Sequence, residues 1–180
     1  MTTPHLSQHI LHQLDLQPDK NYVTGEAMAS LKQYVGSLAD RIRAYRQLRE
    51  WELNLIQELV DRLPSDIQEN TSALEQSIKQ TLLVLRYAAL GMLTDDVNLG
   101  RRRLEGWLPT MVDVYQTQAI DTLLHRSLNQ QLPRLLTDSQ FALLKPPLEA
   151  AQQLLWSSQT EAKMSASELP TQESPAATTE

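Results

Sequence analysis

The chain has 180 residues, of which 41% are apolar and 21% charged, an ordinary balance for one globular domain with its own core. A formal net charge of -6 and a sequence pI near 5.2 exclude the basic excess on which non-specific nucleic-acid binding depends. There is no cysteine, which rules out disulfides, thiolate metal sites, cysteine nucleophiles and thioether-linked cofactors together.

The opening stretch MTTPHLSQHILHQLDLQPDK lacks the basic-then-apolar layout of a signal peptide. No apolar run approaches the roughly 20 residues that span a bilayer, so a cytosolic protein is expected. Thr3 and Pro4 read as an N-cap followed by proline at the first helical position, and Leu6, Ile10 and Leu14 then share one face of a short helix ended by Gln17-Pro18-Asp19. His5, His9 and His12 lie on that helix. His5 and His9 are one turn apart, but no third ligand stands nearby to complete a metal site.

A second helix opens near Thr24. Met28, Leu31, Val35, Leu38, Ile42 and Tyr45 alternate by three and four residues, a narrow stripe suited to one or two neighbouring helices, with Lys32, Gln33, Asp40 and Arg43 opposite. After RQLRE the stripe resumes at Leu48, Leu55, Leu59 and Leu63 as far as Pro64, which predicts a break or change of direction near residues 46–50. A third helix is expected from Ser72, where SALE has the form of a capping box. Leu74, Ile78, Leu82, Leu85, Ala89 and Met92 make its main face, while Leu83, Val84, Ala88 and Leu90 fill the others; a helix apolar nearly all round is a central, buried one. Further helices are predicted over Val97–Leu104, Thr110–Leu128, Asp138–Leu144 and Pro147–Trp156, punctuated by Pro109, Pro133 and Pro146-Pro147. The Ser/Thr/Glu/Pro/Ala composition after Ser157 is that of a disordered tail. The class is all-α, and unequal helices around one buried member suit a globin-like packing better than a symmetric four-helix bundle.

Trp51, Trp107 and Trp156 each fall near a predicted helix end, where indoles commonly pack with their N–H at the rim. His125 beside Arg126 reads as a surface histidine rather than an axial haem ligand. No nucleophile elbow, phosphate-binding loop, dinucleotide fingerprint or zinc-protease motif occurs, and no carboxylate pair is placed for acid–base chemistry. A non-enzymatic protein is expected.

Three segments resemble the phycobiliproteins of photosynthetic antennae. NYVTGEAMASLKQYVGSLADRIRAYRQL is similar to the family's helix opened by an aromatic and a Ser or Thr, LNLIQELVDRLP to the helix that runs to a Leu-Pro stop, and VLRYAALGMLTDD to the Leu-Arg-Tyr helix. They occur in the family's order across about residues 20 to 107. The resemblance implies an N-terminal helical extension over residues 1–20, a globin-like domain over 21–156, and a tail over 157–180.

In that family a cysteine upstream of the Leu-Arg-Tyr arginine carries a linear tetrapyrrole, and an Arg-Asp pair follows it; the matching positions here are Ser77, Lys79 and Gln80. Serine forms no thioether and glutamine cannot neutralise a protonated bilin, so the resemblance implies a degenerate site with no bound cofactor. The alternative is a sensor or carrier that holds a tetrapyrrole, bilin or haem, without a covalent bond. The family's arginine at the position of Arg86, beside Tyr87, pairs with an aspartate of the partner subunit's N-terminal segment. Asp15 and Asp19 are the available partners, and the competing reading is a pair within the same chain. Arg101, Arg102 and Arg103 stand in succession near a predicted helix start, where they oppose the macrodipole and suit an acidic partner surface, against local pairing with Asp95 and Asp96. The implied function is a pigment-free assembly or regulatory protein, dimeric, binding antenna or photosystem subunits at the cytoplasmic face of thylakoid membranes.

Overall fold

Unequal helices of strongly apolar sequence can bury their faces only against one another, and the helix Thr71–Thr94, apolar on nearly every side, is the one they surround. The computed structural model describes residues 25–69 and 71–156. Its helices are α1 (Gly25–Asp61), α2 (Ser65–Glu69), α3 (Thr71–Thr94), α4 (Leu99–Leu104), α5 (Leu108–Tyr115), α6 (Gln118–Leu135) and α7 (Asp138–Gln152), with no strand among the described residues. The all-α class therefore forms as expected. The segments 1–20 and 157–180 lie outside the described residues.

Every other helix touches α3, most extensively α7 and α1. Val84, Leu85, Ala88, Ala89 and Met92 of α3 are buried against Leu104, Leu144, Leu148 and Ala151 among others. Close approach depends on glycine at two places. A Cβ on Gly91 would sit 2.7 Å from the Asp96 carbonyl oxygen and 3.2 Å from Pro147 Cβ, and one on Gly100 would sit 3.1 Å from Ala151 Cβ.

The expected break near residues 46–50 does not occur, and α1 runs unbroken for 37 residues. Arg, Gln, Leu and Glu are all good helix formers, so RQLRE gives no local reason to stop. What changes there is which side of the helix is covered. Arg41, Ala44, Leu48, Glu52, Leu55 and Leu59 form the buried face, whereas Met28, Val35 and Ile42 lie roughly a third of a turn away and remain exposed. The apparent interruption is a hand-over between two stripes on one continuous helix.

Other boundaries shift for identifiable reasons. Ser72 is inside α3, and the Glu75 carboxylate that would have reached back to it takes Lys79 Nζ at 2.6 Å. The capping box that does form is at Thr137, whose hydroxyl accepts from the Gln140 N–H at 3.3 Å while the Gln140 side chain accepts from the Thr137 N–H at 3.1 Å. The helix predicted over Thr110–Leu128 is two, α5 and α6, separated where Gln116 adopts a left-handed φ of 53°. Pro133 lies in the last turn of α6, and Pro146 and Pro147 lie within α7, which joins the two helices predicted there. A proline in a helix forfeits one backbone bond, and burial of Pro147 and Leu148 against α3 and its neighbours offsets that loss.

The C-terminal end of α3 anchors α1. The Asp96 N–H donates to the Gly91 carbonyl at 2.9 Å and the Asp95 N–H to the Met92 carbonyl at 3.4 Å, with Asp95 left-handed at φ 56°. The buried Arg41 guanidinium donates to the Met92 carbonyl and to Asp95 Oδ1 at 2.7 Å, its Nε donates to Ser37 Oγ at 2.9 Å, and its Cζ lies 5.4 Å from the Tyr34 ring centroid. Tyr34 Oη adds a bond to the Leu93 carbonyl at 3.1 Å. A cation thus sits on the negative end of the α3 macrodipole, where free carbonyls need donors. Arg41→Ala should lower the unfolding free energy by about 2 kcal/mol, because charge-assisted bonds are lost and a buried carbonyl is left bare. Urea denaturation checks this, and an unchanged midpoint would show that the clasp adds nothing.

Candidate functional site

Two features stand apart from ordinary core packing: an outer face on α1 and a polar cluster enclosed between α3 and α6. On α1, none of the described side chains ahead of Arg41 is buried. Met28 is 41% exposed, Val35 59% and Ile42 36%, at strict seven-residue spacing, with half-buried Leu31, Leu38 and Tyr45 beside them. Leu53, 78% exposed, continues the line toward the C-terminal half of α1. Heptad spacing of exposed apolar residues on a long helix is the pattern that another helix covers.

Beside this face stands a buried carboxylate. Glu52 is 5% exposed; it accepts from Arg49 Nη1 at 2.9 Å, from Arg86 Nε at 2.8 Å and from Arg86 Nη2. The hydrogen bonds that Arg86 donates to Glu52 are the largest influence on its pKa and raise it above the ordinary arginine value. Arg86 is therefore charge-compensated inside its own chain, by Glu52, which lies two residues beyond the RQLRE segment. The signal was available: Glu52 occupies a position in the buried series Leu48, Glu52, Leu55, Leu59, where an acid requires a cation opposite. Tyr87 is half-buried and turns toward α4, where it meets the position of Gly100. Asp15 and Asp19, like His5, His9 and His12, lie outside the described residues.

The three arginines differ from expectation. They occupy the last turn of α4, where a cation complements the dipole instead of opposing it. Arg102 binds Asp96, Arg101 Nε lies 3.8 Å from Glu105, and Asp95 is taken by Arg41. All three remain exposed, and Arg103 has no ion-pair partner among the described residues.

Ser77 and Gln80 are 0% exposed, whereas Lys79 faces solvent and pairs with Glu75. The Ser77 hydroxyl donates to Asp121 Oδ1, and the Thr117 hydroxyl lies 2.7 Å from Asp121 Oδ2 and 3.1 Å from Gln80 Oε1. One turn further along α6, the fully buried His125 Nδ1 accepts from Gln152 Nε2 at 3.1 Å, and its ring meets Trp156 edge-on at 6.2 Å. The expectation of a surface histidine is overturned. α6 turns Thr117, Asp121 and His125, spaced four residues apart, inward with Ile120, Leu124 and Leu128. That four-residue polar series is legible in the sequence, whereas His125 taken alone beside Arg126 reads as a surface position.

Gln80 Nε2, Thr81 Oγ1 and His125 Nε2 are buried without a hydrogen-bond partner among the described residues. Each such group costs roughly 1–3 kcal/mol, so the cluster is there at the expense of stability. Burial is the leading influence on Asp121 and raises its pKa, with the Ser77 and Thr117 hydroxyls opposing the rise. Burial alone pushes His125 down from 6.5 to about 3. These residues do not fit a covalently held tetrapyrrole: the side chain at the attachment position is enclosed and bonded to Asp121, and the imidazole opens onto Gln152 and Trp156. No group of three or more His, Asp or Glu side chains among the described residues is arranged to hold a metal, and none of the described helices is long and apolar enough to cross a membrane. Comparison with family models, with curated proteins and with solved structures gives no match.

Two outcomes follow. His125 is held neutral, so its contribution to stability is present above its unfolded pKa of 6.5 and is lost as pH falls toward 3, by about 1 kcal/mol per pH unit. Denaturation at a series of acidic pH values should show that slope reduced in His125→Gln; identical slopes would place the acid sensitivity elsewhere. Ser77→Cys should give a thiol that a bulky disulfide reagent reaches only after unfolding. Rapid reaction in the native protein would show that this position is open.

Proposed function

We propose that this protein is a non-enzymatic docking protein of phycobiliprotein-like, globin-like architecture, without a covalent pigment, that pairs with a second copy and with subunits of a photosynthetic antenna or photosystem. The observation that carries the reading is the heptad-spaced apolar face of α1, exposed where the helix runs beyond the core. Burying valine- or isoleucine-sized side chains contributes about 1.5–3 kcal/mol each, so a few of them suffice for a specific helix-to-helix contact.

Arg86 supports the same reading in a modified form. Glu52 engages its Nε and Nη2, while the side chain stays 47% exposed with Nη1 available to a carboxylate from outside. Arg49, also bound to Glu52, is 50% exposed beside it. One buried acid thus fixes two guanidinium groups at the edge of an apolar stripe. Apolar contact supplies affinity and the arginines set register against an acidic partner. Assembly through such a face requires no catalytic group, in keeping with the absence of an enzyme motif from the sequence.

Val35→Glu leaves the core untouched, since Val35 is 59% exposed. Sedimentation equilibrium should show dimerisation weakened by about tenfold or more, the equivalent of 1.4 kcal/mol, with the helical circular dichroism unchanged. Co-sedimentation with isolated antenna complexes should fall in parallel. A wild-type protein that stays monomeric at high concentration and does not co-sediment would overturn the proposal.

A further inference from the structure

On the side of α1 away from the apolar stripe, a groove of about 350 Å³ runs between α1 and the C-terminal half of α6. Gln47, Trp51, Leu55 and Glu58 line it along α1, and Arg134 and Leu135 along α6. Gln47 Nε2 donates to the Leu135 carbonyl at 2.6 Å, which fixes the Arg134 end of the groove beside Gln47 and Trp51. Glu58 marks the other end, about 16 Å away along α1. Trp51, placed by the sequence near a helix end, is in mid-helix and 45% exposed on the groove wall. Arg134 is exposed and has no ion-pair partner among the described residues. Glu58 has only a loose contact, 3.8 Å from Arg62, which also faces Gln131. The groove therefore offers an apolar floor with an acid at one end and an unpaired cation at the other.

We propose that residues 163–169 of the same chain, Lys-Met-Ser-Ala-Ser-Glu-Leu, occupy this groove, with Met164 at the Glu58 end and Leu169 against Trp51. Three properties select this occupant. The stretch 157–180 contains two large apolar side chains, Met164 and Leu169, and each directly follows a charged residue, Lys163 and Glu168. Lys163 meets Glu58 and Glu168 meets Arg134 in one and the same chain direction. The spacing agrees: five residue steps span about 17 Å when extended, the length of the groove. The reach agrees as well. The described chain ends at Trp156, whose Nε1 lies 3.4 Å from Thr122 Oγ1 on α6. From Thr122 to Gln131, at the near end of the groove, is about 14 Å along α6, and the eight steps from Trp156 to Met164 cover up to about 26 Å. The segment arrives first at the Glu58 end, the order that the charges require.

The test uses the full-length chain, and the absence of native cysteine makes it specific. A nitroxide attached to Ser167→Cys should broaden the indole N–H resonance of Trp51, assigned by its disappearance in Trp51→Phe, so that most of its intensity is lost. Arg134→Glu should restore much of that intensity, and Arg134→Glu combined with Glu168→Lys should bring the broadening back, which a general loss of structure would not do. Isotope-labelled protein without the nitroxide, mixed with unlabelled spin-labelled protein, should show no broadening. An unbroadened Trp51 resonance, broadening indifferent to the charge exchange, or broadening in the mixed sample as well would each overturn the proposal; the last would place the segment of a second copy in the groove.

Discussion

The Arg41 guanidinium sits where α1 leaves the domain, on the last carbonyls of α3, and much of the molecule is arranged around that attachment. Behind it, α1 presents Ala44, Leu48, Leu55 and Leu59 to the core; ahead of it, the helix continues with none of its described side chains buried. A charge so enclosed is tolerable only because its donors are used, on the Met92 carbonyl, Asp95 and Ser37, with the Tyr34 ring over it. Those bonds have direction, which apolar contact lacks. They fix the angle at which α1 projects, and with it the orientation of Met28, Val35 and Ile42 toward any partner.

A second directional contact, Glu52 with Arg49 and Arg86, repeats this logic nearer the middle of α1. Together the two clusters join α1 to α3 through charged groups, although α3 buries apolar side chains on most of its faces. The interior between α3 and α6 is polar too, with Ser77, Gln80, Thr117, Asp121 and His125 enclosed. Interiors of this kind give up stability, since Gln80 Nε2 and His125 Nε2 have no hydrogen-bond partner among the described residues and Asp121 is bonded to hydroxyls. What they contribute is a fixed register between α3 and α6, because a one-turn slip would take the Ser77 hydroxyl from the Asp121 carboxylate and Gln80 from the Thr117 hydroxyl.

Some of this was legible in the residues. The helical class, the central place of α3 and the apolar stripe on α1 all follow from spacing, because a 3.6-residue period places apolar side chains together whatever surrounds them. The prolines of α6 and α7 were misleading, since a local rule that stops an isolated helix yields to the burial gained by continuing. Gln116 was invisible for the opposite reason: nothing in a glutamine announces a left-handed backbone, and the turn exists so that α6 can fold back with Thr117 buried.

The amino-acid order by itself determined which residues lie on a common helical face, that no cysteine can hold a pigment or a disulfide, and that one helix must be surrounded. Only the tertiary structure decided which of two faces on α1 is covered, that His125 is enclosed, and that Arg86 closes on Glu52. The physical reason is range. Helical periodicity is a property of neighbours within a few turns, whereas the cost of a buried charge or the exposure of a valine depends on elements far away in the chain, brought alongside only when the whole core has formed.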